Sequence, residues 1–557
     1  MKHHDKLLAK RFFAYADETL SLCRCRLDPA RYAEELIARA AFSDPMDQGE
    51  LFPRLLMLYA HEESPCRFDK EVLSDAEKCL SCFSAMLREN GTLDDPYYGM
   101  SSTSRTAEAI TIIFPALTLL ERTAPQSEAE AALLSLGKQT LRRMADALVD
   151  GGFREGYHRW LIVAALAIAH HFLGDERYPA YADTLLAQEV KMSADGEYPE
   201  RNHSIALLCN RAFFLTATFR GDERFLTYPR ENLRMMQSLL EPYGTVNNVT
   251  AYGWNQMPSF SAAAYYPALL TMAITDRDET MAYLADELCD TAQKEMTKTD
   301  LCDLLLFFMT DGKRHAAQNE LQAKAPEKKR TVFFDEGKLA RVENPEKQMS
   351  MTLLCAEHPV FFELKYKNTA IEARFAGCFF GMRSQFRATE IIPTEDGYKL
   401  IYDAKAGYRS QLKEKPETSD WRLMDHSKRE FINIQQFRVE ITVHLLEDGA
   451  RFDIETAGCE RIPTKFEFLM APDKIFENES IVSRTKAGDY FYLKDGSARY
   501  FLSGHSYADI ETDHFYQHTY GEAMRGAVPK DPQKFTVCMT ADTPQSSTVT
   551  LRIKELD

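Results

Sequence analysis

Positive charge is scarce in this chain of 557 residues: 67 Lys and Arg stand against 84 Asp and Glu, a formal net charge of −17. Phosphate backbones reward a Lys/Arg excess, so no nucleic-acid partner is expected. A small anionic substrate is still compatible, because a local Arg/His pocket can sit on an acidic surface. Long apolar runs are missing too. Without a stretch of about 18 uncharged apolar residues, no membrane span is expected. The opening MKHHDKLLAKRFFAYADETL has neither an apolar h-region nor a small-residue cleavage site, and reads as a first helix rather than a signal peptide. Twelve cysteines are present without a pairing framework. Only Cys79-Leu-Ser-Cys82 has metal or redox spacing; with no second pair, the two read as small hydrophobes in a helix. Dispersed thiols point to a reducing compartment, so a cytoplasmic protein is expected, with no metal and no cofactor. There is no exact repeat, which disfavours a regular solenoid.

The length calls for at least two domains. Up to about residue 310, apolar residues recur at three- and four-residue spacing, as in RTAEAITIIFPALTLLERT and WLIVAALAIAHHFLG, giving roughly a dozen helices joined by short loops. DGKRHAAQNELQAKAPEKKR is polar and charged, and after it the period drops from 3.6 to 2, as in PVFFELKYKN and FRVEITVHLLEDGARFDIETAG. EDGAR and KDGSA carry Asp-Gly hairpin signals. The fold class expected is therefore α+β and multidomain. Residues 1–310 form an (α/α)-toroid, incomplete or of six hairpins, that carries a cleft. Residues 311–330 are a linker, and residues 331–557 an antiparallel β-sandwich. A toroid with a sandwich is typical of carbohydrate-active enzymes, an argument from fold analogy.

Three stretches carry a more specific likeness: GTLDDPYYGMSSTSRTAEAI, GGFREGYHRWLIVAALAIA and DGEYPERNHSIALLCNRAFF. Together with the layout they resemble the heparinase II/III-like polysaccharide lyases, the second a stretch that often reads Asn-His-Arg-Trp, the third a DG-x-x-x-E-R loop and helix. The resemblance implies an oligosaccharide partner and β-elimination, in which an Asn helps neutralise the uronate carboxylate and a Tyr shuttles protons. Two positions depart from it. Tyr157 stands where relatives have the Asn, and Asn202-His203-Ser204 follows Glu200-Arg201 where a tyrosine is expected.

Elimination from a 4-linked uronide needs the carboxylate neutralised, a base for the C5 proton and an acid for the departing O4. His158 is the first base candidate and His203 the second. Tyr157, Tyr198 and Tyr252 are candidate acids, and Arg159 and Arg201 candidate carboxylate clamps. Trp160 is either packing or a sugar platform, while His170-His171 reads as packing. The stretch EPYGTVNNVTAYGWNQMPSF sets Asn247, Asn248, Tyr252, Trp254, Asn255 and Gln256 together, side chains suited to sugar hydroxyls and stacking. Glycoside hydrolysis is the competing chemistry and needs paired carboxylates. Asp94, Asp95, Glu155 and Glu200 are its candidates, with N-terminal capping the plain alternative for Glu200. A third alternative is a non-catalytic glycan-binding protein derived from such an enzyme. In the β half, His505, Asp513, His514 and His518 could hold a metal, though strand and loop surroundings argue against it, and Arg383 and Arg387 could face a cleft. The expectation is thus an enzyme on uronate-containing oligosaccharides, lyase ahead of hydrolase, with homo-oligomerisation left open.

Overall fold

The structure, a computed structural model, describes the chain except residues 42, 123–126, 153–155, 242–243, 249–259, 327–330, 345, 356–357, 382, 494–495, 517–521 and 557. It divides into two compact units, Met1–Leu240 with Gly244–Glu327, and Glu241–Tyr243 with Lys328–Asp557.

The first unit is a closed ring of helices. Helices Leu51–Ala60, Thr103–Arg122, His158–Leu173, His203–Arg220, Tyr266–Asp276 and Lys298–Thr310 each pack against the next, and the last returns to the first. They are apolar on nearly every face, as a helix enclosed on all sides must be. All ten residues of Leu51–Ala60 are buried, and so is the run Trp160–Ala169. Amphipathic helices cover them from outside: Lys70–Ala85, Glu128–Val149, Arg177–Leu186, Thr227–Gln237 and Glu279–Glu295 each pack on the inner helix before them. The first helix, His4–Phe13, covers Lys298–Thr310 and completes the sixth pair. Because each outer helix reverses the chain, the inner helices run in one direction and their N-termini gather at one mouth. The toroid expected from the periodicity is present with six members.

Charge inside the ring ties its staves together. Arg211 pairs with Asp303 at 2.8 Å and donates to the Thr111 hydroxyl and carbonyl at 2.8 and 2.5 Å, linking three inner helices. Within single turns, Arg54 pairs with Glu50 at 2.5 Å and Arg105 with Glu108 at 2.7 Å. Burial raises the Asp303 and Glu50 carboxyls above their usual range in spite of those arginines.

The stretch expected to be a linker contains the helix Lys313–Glu320. Its one buried side chain, Gln318, donates to Asp5 at 2.8 Å and accepts from the His4 backbone N–H at 3.0 Å. A segment so charged reads as solvated; the buried Gln318 amide, with His315 at 2.9 Å from Asp5, docks it on the first helix.

The second unit is a sandwich. A nine-stranded sheet runs from Glu390–Pro393 at one edge to Val482–Arg484 at the other, and an eight-stranded sheet from Tyr490–Tyr492 to Thr331–Phe334, among the described residues. Strands pair antiparallel throughout except Tyr490–Tyr492, which runs parallel to Phe535–Asp542. Side chains of both sheets fill one core, where Phe361, Phe362, Phe452, Phe466 and Phe468 meet edge to face. Each such phenylalanine contributes about 1.5–3 kcal/mol relative to exposure. The Asp448-Gly449 hairpin forms as expected, pairing Leu446 with Gly449. Asp495 lies outside the described residues; the flanking strands Tyr490–Tyr492 and Gly496–Ser503 belong to different sheets and, among the described residues, do not pair as a hairpin.

Two charged clusters lie inside this unit. Glu241 accepts from Arg341 and Ser350, both at 2.7 Å, with Lys365 at 3.3 Å. Glu467 is held by Arg374 at 2.5 Å, Lys465 at 2.8 Å and the Tyr490 hydroxyl at 2.7 Å.

Candidate functional site

The mouth of the ring is built from the loops entering the inner helices. Asp95 ends one arm of a short hairpin, Leu93–Asp95 with Met100–Ser102, which leads into Thr103–Arg122. Its carboxylate accepts from the Tyr97 N–H at 2.9 Å, fixing the turn, while Asp94 pairs with Arg88. Gly151 and Gly152 follow on the next loop with φ of +88° and +147°. A Cβ on Gly152 would stand 2.7 Å from the Thr103 side chain, so only glycine lets this loop lie on the neighbouring helix start.

Tyr157 and His158 open the helix behind that loop, half-buried, their rings 4.2 Å apart. Arg159 fastens the entry: it donates to the Gly156 carbonyl at 2.8 Å and to Gln188 at 2.7 Å, and covers the Trp160 ring at 4.7 Å. Trp160 itself is buried against Phe213, ring centroids 5.5 Å apart. A sugar platform is therefore the wrong role for Trp160; a large apolar ring at the first turn of an enclosed helix packs inward. Glu200 reaches this loop from the next one, its Oε1 3.8 Å from where a Cβ on Gly156 would lie. Capping does not account for Glu200, since the cap of His203–Arg220 is Asn202, which accepts from the Ile205 N–H at 3.2 Å.

Around Glu200 the backbone is strained. Arg201 holds φ of +47°, a left-handed conformation unfavourable for a side chain with a Cβ. Its guanidinium pairs with Glu197 at 3.1 Å. Burial pushes the Glu197 carboxyl up to about 7; Arg201 pulls the other way and Asp195 adds to the rise. Next in the chain, His203 is gripped at both nitrogens. Nε2 donates to the Asn247 carbonyl at 2.9 Å, which leaves Nδ1 to accept from the buried Tyr265 hydroxyl at 2.8 Å. Burial raises the Tyr265 phenol well above its ordinary range. A cavity of about 30 Å³, the scale of a water molecule, is lined by Glu197, Arg201, Asn202, His203 and Tyr265 among others.

The expected residues thus divide. Tyr157, His158, Arg159, Glu200, Arg201 and His203 come together on adjoining loops at the mouth. Asn248 is buried beside Asn247, next to the short pairing of Thr245–Val246 with Phe260–Ser261. Tyr252, Trp254, Asn255, Gln256 and Glu155 lie outside the described residues. Tyr198 is not placed as an acid: its buried hydroxyl donates to Asn210 at 3.0 Å, and Asn210 donates in turn to Asn232 at 2.9 Å. His171 packs against Phe172 and Phe219 as expected. Sequence reasoning missed Glu197 and Tyr265. The first stands four residues before Arg201, but the intervening Pro199 hides the pair; the second reads as the start of an apolar helix.

Among the described residues no three His, Cys, Asp or Glu side chains gather as ligands. Cys79 faces Cys23 at 3.4 Å, and His514 pairs with Asp513 at 3.0 Å on the surface; His518 lies outside the described residues. No described helix is long and apolar enough to cross a membrane.

No family model and no curated protein matches the chain. Solved structures do match it in fold. A heparinase III gene product with methylated lysines superposes with a TM-score of 0.54 at 10% identity, covering 92% of this chain and 77% of that one. The heparan sulfate lyase HepC from Pedobacter heparinus gives 0.52 at 11% identity, with the same 92% and 77% coverage. The chondroitin AC lyase of Streptomyces coelicolor A3, solved with chondroitin sulphate, gives 0.51 at 10% identity over 99% of this chain and 83% of its own. At these identities the likeness is one of fold, and this chain has the fold of those polysaccharide lyases.

Proposed function

We propose that the protein is a carbohydrate-active enzyme that cleaves uronate-containing oligosaccharides by β-elimination at the mouth of the helical ring. One observation carries the reading: Tyr157, His158, Glu200, Arg201 and His203 sit on adjoining loops where inner-helix N-termini converge. Helix N-termini favour anions, so a carboxylate is welcome there even on a chain of net charge −17. Neighbours of the same fold carry the names heparan sulfate lyase and chondroitin AC lyase.

In this reading Arg201, held by Glu197, neutralises the uronate carboxylate, assisted by the Asn248 amide. His158 takes the C5 proton and Tyr157 protonates the departing O4, so a C5–H and a C4–O4 bond break as a C4–C5 double bond forms. Since both His203 nitrogens are engaged by protein, His203 acts as a positioning residue that fixes the Asn247–Asn248 segment against Tyr265. Trp254, Asn255 and Tyr252 complete the proposal as sugar contacts.

A second reading has its own observation. Glu197, a largely buried carboxyl raised to about 7, would keep its proton up to about neutrality, as a glycosidase general acid requires, with Glu200 as its partner. Incubation with a panel of uronate oligosaccharides separates the two. Elimination gives a conjugated, ultraviolet-absorbing uronate at each new non-reducing end; hydrolysis gives new reducing ends without that absorbance. Tight binding with neither product would leave a glycan-binding protein.

A further inference from the structure

The sandwich unit carries an arm that its own core does not explain. Strands Gly397–Arg409 and Phe431–Leu446 pair from Gly397 opposite His444 out to Arg409 opposite Phe431. Their flanking strands stop short: Glu390–Pro393 reaches only Ile401, and Gly449–Gly458 only Phe437. Beyond that point, among the described residues, two strands continue alone as a ribbon, closed by the segment 410–430 with its two short turns at Trp421–Leu423 and His426–Lys428. Two-stranded ribbons are marginal in water on their own. This one nevertheless exposes Tyr408 (63%), Trp421 (58%), Leu423 (74%), Phe431 (45%), Ile432 (42%) and Ile434 (59%), a third of the eighteen exposed large apolar side chains described. Such clustering marks an interaction surface rather than ordinary scatter.

Charge and chemistry narrow the partner. Residues 404–436 hold seven Lys and Arg against five Asp and Glu, a net +2 on a chain of −17, which leaves −19 elsewhere. Sugar stacking is hindered at two of the rings: Arg409 lies 4.7 Å over Phe431, and Arg429 4.9 Å over Trp421 with His426 at 4.3 Å. Beside the rings the arm exposes the aliphatic Leu423, Ile432 and Ile434, the complement of a protein surface. The acidic surface supplied in equal number is that of the chain itself.

We infer that the arm is a dimerisation element, each copy laying its basic, apolar ribbon on the acidic body of the other in a reciprocal two-fold contact. This goes beyond the proposed catalysis and does not depend on it.

Sedimentation and light scattering of the full chain test the idea. The wild type is expected to be a dimer that weakens with rising salt. Leu423→Ser with Ile434→Ser is expected to loosen it about tenfold or more, as removal of interface anchors does, with an unchanged circular-dichroism spectrum since both side chains are exposed in a single copy. Should that variant fold poorly, K413E/K415E/K428E keeps the apolar residues and is expected to dissociate the dimer by charge alone. A wild type that is monomeric at every attainable concentration overturns the inference, as does a dimer untouched by both variants. Arm-dependent retention of a monomeric wild type on an anionic polysaccharide also overturns it and reassigns the ribbon.

Discussion

Glu241 in the sandwich unit is buried and Glu197 in the helical unit largely so, with side chains 3% and 13% exposed, yet they sit at opposite ends of the carboxylate range. Burial alone would raise both. For Glu241, Arg341 and Lys365 with hydrogen bonds from Arg341 and Ser350 overcome that cost and bring it down to about 2. For Glu197, a single arginine does not, and the carboxyl stays near 7. A structural charge is answered from every side. In the proposed elimination the lighter answer to Glu197 has a reason: Arg201, its one arginine partner, also meets the substrate carboxylate. The same contrast separates Glu467, with three donors, from the mouth residues.

The largest effect should come from breaking the answered cluster. Glu241→Ala leaves Arg341 and Lys365 buried without their carboxylate and is expected to cost about 3–5 kcal/mol in denaturant unfolding of the sandwich unit. Titration sharpens the comparison next, since the two glutamates have opposite signs. The native state holds the Glu197 proton up to about 7, whereas the unfolded chain releases it near 4.5, so this group's stability contribution falls as pH rises between those values. The loss amounts to roughly 3 kcal/mol at most. Glu241 does the reverse: its contribution is complete above the unfolded value of 4.5 and is lost as pH falls toward 2. Melting midpoints against pH should therefore flatten between pH 5 and 7 in Glu197→Gln, and between pH 2 and 4.5 in Glu241→Gln. Tyr265→Phe is a smaller break: losing one hydrogen bond to His203 should cost about 1 kcal/mol. Turnover should suffer more than stability, because the Asn247–Asn248 segment loses its fixed support.

Much of this was legible in the residues. Helical periodicity up to about residue 310 and alternation after it follow from which side chains must meet a core, and the ring and sandwich obey them. The Gly-Gly before Tyr157 and the polar loops at helix starts marked the mouth. Other features were hidden for physical reasons. Trp160 stayed open between packing and a platform because a sequence shows an aromatic beside charges and not the Phe213 ring it covers. Glu197 was hidden by Pro199, since a four-residue spacing interrupted by proline does not read as an ion pair. Gln318, one buried amide in a charged segment, carries no periodicity that could disclose its docking. Tyr265 and His203 meet across 62 positions of chain, a contact that no local pattern contains.

The central claim is elimination driven from the start of helix His158–Leu173, and it is tested most directly by comparing wild type with His158→Ala on uronate oligosaccharides. Ultraviolet absorbance of the unsaturated product and reducing ends would be followed together. The account predicts that both rise in step for the wild type. In the variant both should fall by about 10²–10⁴-fold, with the melting curve unmoved. Reducing ends without absorbance, or a variant that turns over as fast as the wild type, would contradict it.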